Sequence, residues 1–96
     1  MQFLITAYDG TDADALNRRL AARELHLVGA AALKKAGNLI AGGAILNDAD
    51  QMIGSSMFVE FASRAELDAW LKQDPYVTGD VWRDITVQTI RLAFRS

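Results

Sequence analysis

Two consecutive apolar segments at the centre of the chain, residues 39–46 and 52–61, constrain the fold most strongly. Both are short and rich in strand-forming residues, although Gly42 and Gly43 loosen the first. Asn47, Asp48 and Asp50 lie between them and are typical of a tight turn. The pattern therefore predicts an antiparallel hairpin, and the rest of the chain has to pack around it.

Helical segments lie on both sides of this hairpin. Ser63 is a good N-cap for the second helix, and the residue before Pro75 disfavours helical geometry, so that helix ends at Asp74. Residues 77–80 are expected to form a loop or short turn. The predicted strands are residues 2–8, 39–46, 52–61 and 81–94, and the predicted helices are residues 12–36 and 64–73.

The first helix has a leucine pattern that predicts its buried face. Four leucines recur near one side at helical spacing, and Lys34 and Lys35 fall in the last turn, where cations are favourable. The expected core positions are Leu16, Leu20, Leu27 and Leu33.

The order β-α-β-β-α-β predicts a single ferredoxin-like α+β domain over residues 1–96. We expect a four-stranded antiparallel sheet with both helices on one face, because right-handed crossovers place them on the same side. Neither side of the two central strands is strongly polar. The free face is therefore expected to pack against a second copy in a homodimer, and higher assembly is left open. The alternative is a monomer whose small residues tolerate exposure.

Composition excludes several classes of function. The chain has no cysteine and one histidine, which removes disulfides, thiolate catalysis and cysteine-based metal sites and predicts no metal or cofactor. A net charge of -2 without a basic stripe argues against nucleic acid. No apolar run reaches the ~20 residues of a membrane span, and no signal peptide is recognised. A cytoplasmic location is the resulting expectation.

His26 is the first candidate for chemistry. Arg19, Arg23 and His26 are spaced to lie on one face of the helix, where two cations would disfavour the protonated imidazole. The alternative is a surface or packing histidine. Asp74 is the second candidate: it could orient an imidazole, or simply end a helix before proline. Ser55 could present a hydroxyl to an anion, or be an ordinary strand residue.

A wider pattern resembles the YciI-like (YCII-related) family of the dimeric α+β barrel superfamily. The resemblance spans nearly the whole chain and rests on Tyr8-Asp9, Arg19-Leu20, Arg23, His26-Leu27, Ala41-Gly42, Gly54-Ser55-Ser56, Glu60-Phe61, Ala69-Trp70, Asp74-Pro75-Tyr76-Val77 and Gly79. It implies a barrel-like dimer with a His-Asp pair in a cleft beside the sheet. His26 and Asp74 match that pair. Other matching positions, where substrate contacts are expected, are Arg19, Arg23, Gly42, Ser55 and Tyr76.

The segment Gly43-Ala44-Ile45 departs from the family, because relatives often have proline there, and this leaves the substrate open. Two functions remain. The first is a small enzyme that uses His26 and Asp74 for general acid/base chemistry in an isomerase, lyase or hydrolase-like step on a small acidic or enolic compound. The second is a non-catalytic dimeric module that binds a ligand or a partner. The two differ in whether His26 and Asp74 lie within hydrogen-bond reach.

Overall fold

The computed structural model describes residues 1–95 and contains the predicted α+β fold. The elements are β1 (Gln2–Asp9), α1 (Ala15–Lys35), β2 (Leu39–Leu46), β3 (Met52–Glu60), α2 (Arg64–Gln73), α3 (Pro75–Thr78) and β4 (Trp82–Ile90). The strands form one antiparallel sheet in the order β2-β3-β1-β4, with the helices on one face. The predicted order β-α-β-β-α-β is confirmed.

The observed bounds differ from the predicted ones by up to four residues, and two of the differences have a clear physical reason. Residues 75–78 form the short helix α3, because Pro75 has a fixed φ that suits the first helical position and Asp74 caps the turn. The last strand ends at Ile90 and does not reach residue 94. Ile90 pairs with Gln2, the first residue of β1, so the residues beyond it have no strand to pair with.

The core lies between the sheet and the helices. Phe3, Ile5 and Ala7 alternate along β1 and are fully buried, as period-2 alternation requires of a strand with one covered face. Opposite them, Met57 and Val59 of β3 point to the same side. Each large apolar side chain buried here stabilises the fold by about 1.5–3 kcal/mol. The same cluster also contains Leu33, Phe61, Leu67, Tyr76, Val81 and Trp82.

The buried face of α1 differs from the leucine pattern. Leu20 and Leu27 are 51% and 46% exposed, so their prediction as core residues is wrong. The fully buried positions are Arg19, His26 and Leu33, which follow one another at seven-residue spacing. Two polar side chains therefore occupy helix positions that an ordinary domain gives to apolar ones, and each must find a partner inside the protein.

The opposite face of the sheet has no covering element within residues 1–95. Leu4 and Phe58 form an apolar pair at its centre, and Thr6 and Thr86 lie beside them. The face is more polar than the two central strands alone predict, because β1 and β4 contribute threonines.

In the described part of the chain, none of the helices combines the length and the apolarity that a transmembrane span needs.

Candidate active site

A cavity of about 290 Å³ lies between α1 and the strands β2 and β3. Its walls come from the helix-covered side of the sheet and from one side of α1. The lining residues are Arg19, Arg23, His26, Leu27, Ala30, Ala31, Lys34, Leu39, Gly42, Gly43, Ala44, Met52, Ser55, Met57 and Tyr76. Most of the predicted site residues therefore surround one space.

His26 and Asp74 form a buried pair at this cavity. Nδ1 of His26 lies 2.9 Å from Oδ2 and 3.1 Å from Oδ1 of Asp74, although the two residues are 48 positions apart. A carboxylate only accepts hydrogen bonds, so Nδ1 carries the proton in the neutral imidazole and Nε2 keeps its lone pair. Nε2 makes no hydrogen bond to any described residue.

The local sequence explains why Asp74 is available for this contact. Asp74 has extended backbone geometry, as the following proline favours, and it stands at the junction of α2 and α3. Its Oδ2 atom also accepts a hydrogen bond of 3.0 Å from the backbone N–H of Tyr76. One carboxylate thus caps α3 and holds the imidazole, so both interpretations of Asp74 apply.

Two aromatic side chains fix the plane of the imidazole. The ring of Tyr76 stacks on His26 with centroids 3.8 Å apart, and Trp82 meets His26 edge-on at 5.6 Å. Burial raises the pKa of the Tyr76 hydroxyl, although the charges of Arg19 and Arg23 oppose the rise. Tyr76 therefore stays neutral at physiological pH and acts as an aromatic wall.

A second buried ion pair, Arg19–Asp9, lies at the Arg19 end of the cavity. Nη1 of Arg19 donates to both oxygens of Asp9 at 3.0 and 3.2 Å, and each side chain is only 3% exposed. Burial raises the pKa of Asp9 above its ordinary value, while the Arg19 guanidinium acts in the opposite direction. The guanidinium also lies over the ring of Tyr76, 4.7 Å from its centroid. Its Nε–H has no partner among the described residues.

Ser55 links Arg19 to Trp82, the aromatic neighbour of His26. Its Oγ atom accepts hydrogen bonds from Nη2 of Arg19 at 2.9 Å and from Nε1 of Trp82 at 3.2 Å. Both lone pairs of the hydroxyl are then occupied, so its proton is free to be donated elsewhere. Gly54 makes this placement possible, because a Cβ there would collide with the carbonyl oxygen of Ala7 on β1.

The rest of the lining is basic on the helix side and small on the sheet side. Arg23 and Lys34 are exposed, and none of the ion pairs within residues 1–95 includes either of them. Among residues 1–95, no carboxylate lines the cavity. On the sheet side, Gly42 pairs with the buried Met57 and places no side chain in the cavity.

The structure brings all seven predicted site residues to this cavity, with Asp74 behind His26. Sequence reasoning missed Asp9, Trp82 and Lys34. Asp9 had a usable signal: it continues the inward-facing series of β1, where a buried carboxylate requires a cation. No group of three or more histidine, aspartate or glutamate side chains placed to hold a metal occurs in residues 1–95.

Comparisons with known proteins agree with this architecture. The family model of the YCII-related domain matches residues 1–91 of this chain. The proteins named YciI from Escherichia coli and Shigella flexneri are each 33% identical over 100 aligned residues, covering 98% of this chain and all of theirs. An uncharacterised protein of Haemophilus influenzae is 29% identical over the same share of both chains.

A solved structure is also similar. The 5-chloro-2-hydroxyhydroquinone dehydrochlorinase of Burkholderia phenoliruptrix, in complex with 2,5-dihydroxybenzoquinone, superposes with a TM-score of 0.82 at 25% identity. The match covers 95% of this chain and 94% of the dehydrochlorinase. Fold, site geometry and sequence similarity lead to one assignment: the chain belongs to the YCII-related family.

Proposed function

We propose that this protein is a small-molecule enzyme in which His26 and Asp74 transfer a proton to and from a small acidic or enolic compound. The distance of 2.9 Å between His26 Nδ1 and Asp74 Oδ2, buried beside a cavity, carries the proposal. The dehydrochlorinase that this chain resembles supports it, because that relative acts on a hydroxylated aromatic compound. The alternative, a non-catalytic binding module, gives no reason for a buried imidazole with one nitrogen left free.

In this mechanism His26 is the general base. Nε2 takes a proton from an O–H or an acidic C–H of the substrate, and the electron pair left behind delocalises into an enolate or phenolate. Asp74 stabilises the resulting imidazolium through Nδ1–H. The proton then returns at another position, which is isomerisation, or an anionic leaving group departs with its bond electrons, which is elimination. General base catalysis of this kind contributes about 10²–10⁴ in rate.

The anion formed on the substrate needs donors. Nη1 of Arg19 binds Asp9 and Nη2 binds Ser55, so one route by which the charge of Arg19 reaches the substrate is the Ser55 hydroxyl that it polarises. Ser55 donates its free proton to the substrate oxygen. Arg23 has no other ion-pair partner in the described chain and supplies the compensating charge.

We also propose that the uncovered sheet face, centred on Leu4 and Phe58, packs against a second copy. A homodimer would have a mass near twice 10.5 kDa. Light scattering with size-exclusion chromatography tests this, and Phe58→Lys should yield the monomer. A wild-type monomer would contradict the dimer and leave the His26 proposal untouched. A cytoplasmic location stays a prediction.

The catalytic proposal is tested by hydrogen exchange, which does not require the natural substrate. A panel of enolisable acids and hydroxyquinols, including 5-chloro-2-hydroxyhydroquinone, is incubated in deuterated buffer with the protein. Deuterium incorporation is followed by NMR, and chloride release is followed for the chlorinated compound. Wild-type protein should accelerate exchange or chloride release for at least one compound.

His26→Ala should reduce that acceleration by about 10²-fold or more, and Asp74→Asn should reduce it substantially. Glu24→Ala is the matched control, because Glu24 is an exposed residue of the same helix that does not line the cavity. Activity that survives both His26→Ala and Asp74→Asn would refute the proposed function. A bound ligand without any exchange or turnover would favour the binding module.

A further inference from the structure

The cavity is elongated along α1 and has unlike ends. The helix residues on its wall extend from Arg19 to Lys34. His26 and Lys34 are eight positions apart, which corresponds to about 12 Å along the helix axis. The section of the cavity between these two residues therefore has the candidate proton-transfer group His26 on one side and the primary amine of Lys34 on the other.

Between the two ends the wall is apolar. Leu27, Ala30 and Ala31 contribute from the helix, and Leu39 and Met57 face them from the sheet. These side chains offer no hydrogen bonds. A ligand that fills the space therefore needs an apolar middle section, such as a ring or a short methylene chain.

Lys34 stands out at the far end. It is exposed, lines the cavity, and takes part in none of the ion pairs or side-chain hydrogen bonds found within the described chain. Lys35 follows it in the same last helical turn and is equally exposed, but it does not line the cavity. Favourable interaction with the helix C-terminus accounts for both lysines, whereas contact with the cavity is particular to Lys34.

We infer that Lys34 is a specificity-determining residue that binds an anionic group of the substrate remote from the reacting proton. The inference rests on the proposed function, because it takes His26 as the reacting end. The ligand class is a small amphipathic acid: an enolic or phenolic head at His26, an apolar middle, and a carboxylate about 10 Å away at Lys34. Such a molecule is longer than the 2,5-dihydroxybenzoquinone held by the solved relative.

Two probes that differ in one charge test this assignment. 4-(4-Hydroxyphenyl)butanoate has a phenolic head, an apolar middle and a terminal carboxylate, and 4-(4-hydroxyphenyl)butanamide has the same length without the charge. Their dissociation constants are measured by calorimetry for wild type, Lys34→Met and Lys35→Met. Lys35→Met is the matched control, because it removes the same charge from the same helical turn.

Wild type should bind the carboxylate about fivefold more tightly than the amide, as a partly exposed charge pair allows. Lys34→Met should reduce this ratio to near one, and Lys35→Met should keep it. Equal binding of the two probes by wild type, or an equal loss in both variants, would overturn the role of Lys34 while leaving the His26 site standing. Binding of neither probe would overturn the ligand class assigned to Lys34, whereas the His26 proposal is decided separately by the exchange assay.

Discussion

Two buried ion pairs lie on the same face of α1, and they differ in what their charges can do. Arg19–Asp9 and His26–Asp74 involve helix positions seven residues apart, and the Tyr76 ring contacts both Arg19 and His26. Every side chain in the two pairs is at most 9% exposed. Arg19 keeps its positive charge, whereas the imidazole of His26 is a group that can accept and release a proton.

This difference suggests a structural role for the Arg19–Asp9 pair and a chemical role for the His26–Asp74 pair. The Arg19–Asp9 pair is a fixed charge arrangement that joins β1 to α1 and orients Ser55. The His26–Asp74 pair holds one imidazole nitrogen and leaves the other free. The Arg19–Asp9 pair thus holds its neighbours in place, whereas the His26–Asp74 pair leaves a ring nitrogen available for the proposed proton transfer. Four substitutions or measurements test this difference between the two buried pairs.

Removal of the fixed pair should have the largest effect on stability. Arg19→Met leaves the buried carboxylate of Asp9 without its cation, which we expect to lower the free energy of unfolding by about 3–5 kcal/mol. Urea unfolding followed by circular dichroism measures this. Arg23→Met is the control, because Arg23 is exposed on the same helix and should change stability by less than about 0.5 kcal/mol. Equal losses of unfolding free energy for the two substitutions would show that the Arg19–Asp9 pair does not stabilise the fold.

Asp74→Asn should lower the free energy of unfolding less than Arg19→Met does, and its main effect should be a loss of activity. The amide oxygen can still cap α3 and accept from Nδ1, so only the charge-assisted part of the hydrogen bond is lost, about 1 kcal/mol. Asp74→Ala removes the cap as well and should cost about 1 kcal/mol more. The same unfolding assay compares both variants. A loss for Asp74→Asn as large as that for Arg19→Met would contradict the division of roles.

The pH dependence of the unfolding free energy should reveal the raised pKa of Asp9. Burial holds the pKa of Asp9 in the native state above its ordinary value of 3.8, so between these two pKa values the Asp9 carboxyl binds more protons in the native state than in the unfolded chain. The contribution of Asp9 to stability therefore falls as the pH rises through this window and is most favourable at the acidic end. The difference in unfolding free energy between wild type and Asp9→Asn, measured from about pH 6 to about pH 4, should move in favour of wild type. Movement in the other direction would indicate that Arg19, not burial, dominates.

An exposed ion pair provides the smallest effect. Arg64 and Asp68 lie 2.9 Å apart on α2 with side chains about half exposed. Asp68→Asn should lower the free energy of unfolding by only about 0.3–0.5 kcal/mol, because water screens this pair. Thermal unfolding at low and at high salt measures the difference. A loss above about 2 kcal/mol would mean that pairing itself, and not burial, sets the effect of Arg19.

The fold could be predicted from the sequence because its signals are local. The central hairpin, the Ser63 cap and the Asp74-Pro75 stop each act over a few residues. The leucines of α1 misled the prediction, since Leu20 and Leu27 are largely exposed and Arg19 and His26 take the inner positions. A helical periodicity identifies an apolar face but not a polar one that finds partners elsewhere in the chain.

In the sequence, spacing leaves a structural alternative for both His26 and Asp74, and the family resemblance is what pairs them. Asp9 and Lys34 were missed for a related reason. The partner of Asp9 is ten residues away on another element, and the contact of Lys34 with the cavity depends on how α1 lies against β2 and β3. Such contacts are set by tertiary packing, which a single sequence does not contain.

The single histidine of this chain permits one measurement that addresses the central claim directly. In protein labelled with ¹⁵N in the imidazole, a long-range ¹H–¹⁵N NMR spectrum contains the signals of His26 alone and reports which nitrogen carries the proton. We predict that, in the neutral form, the proton is on Nδ1 and Nε2 is free to accept, and that Asp74→Ala abolishes this preference. A proton on Nε2 in wild type, or a tautomer unaffected by Asp74→Ala, would contradict it.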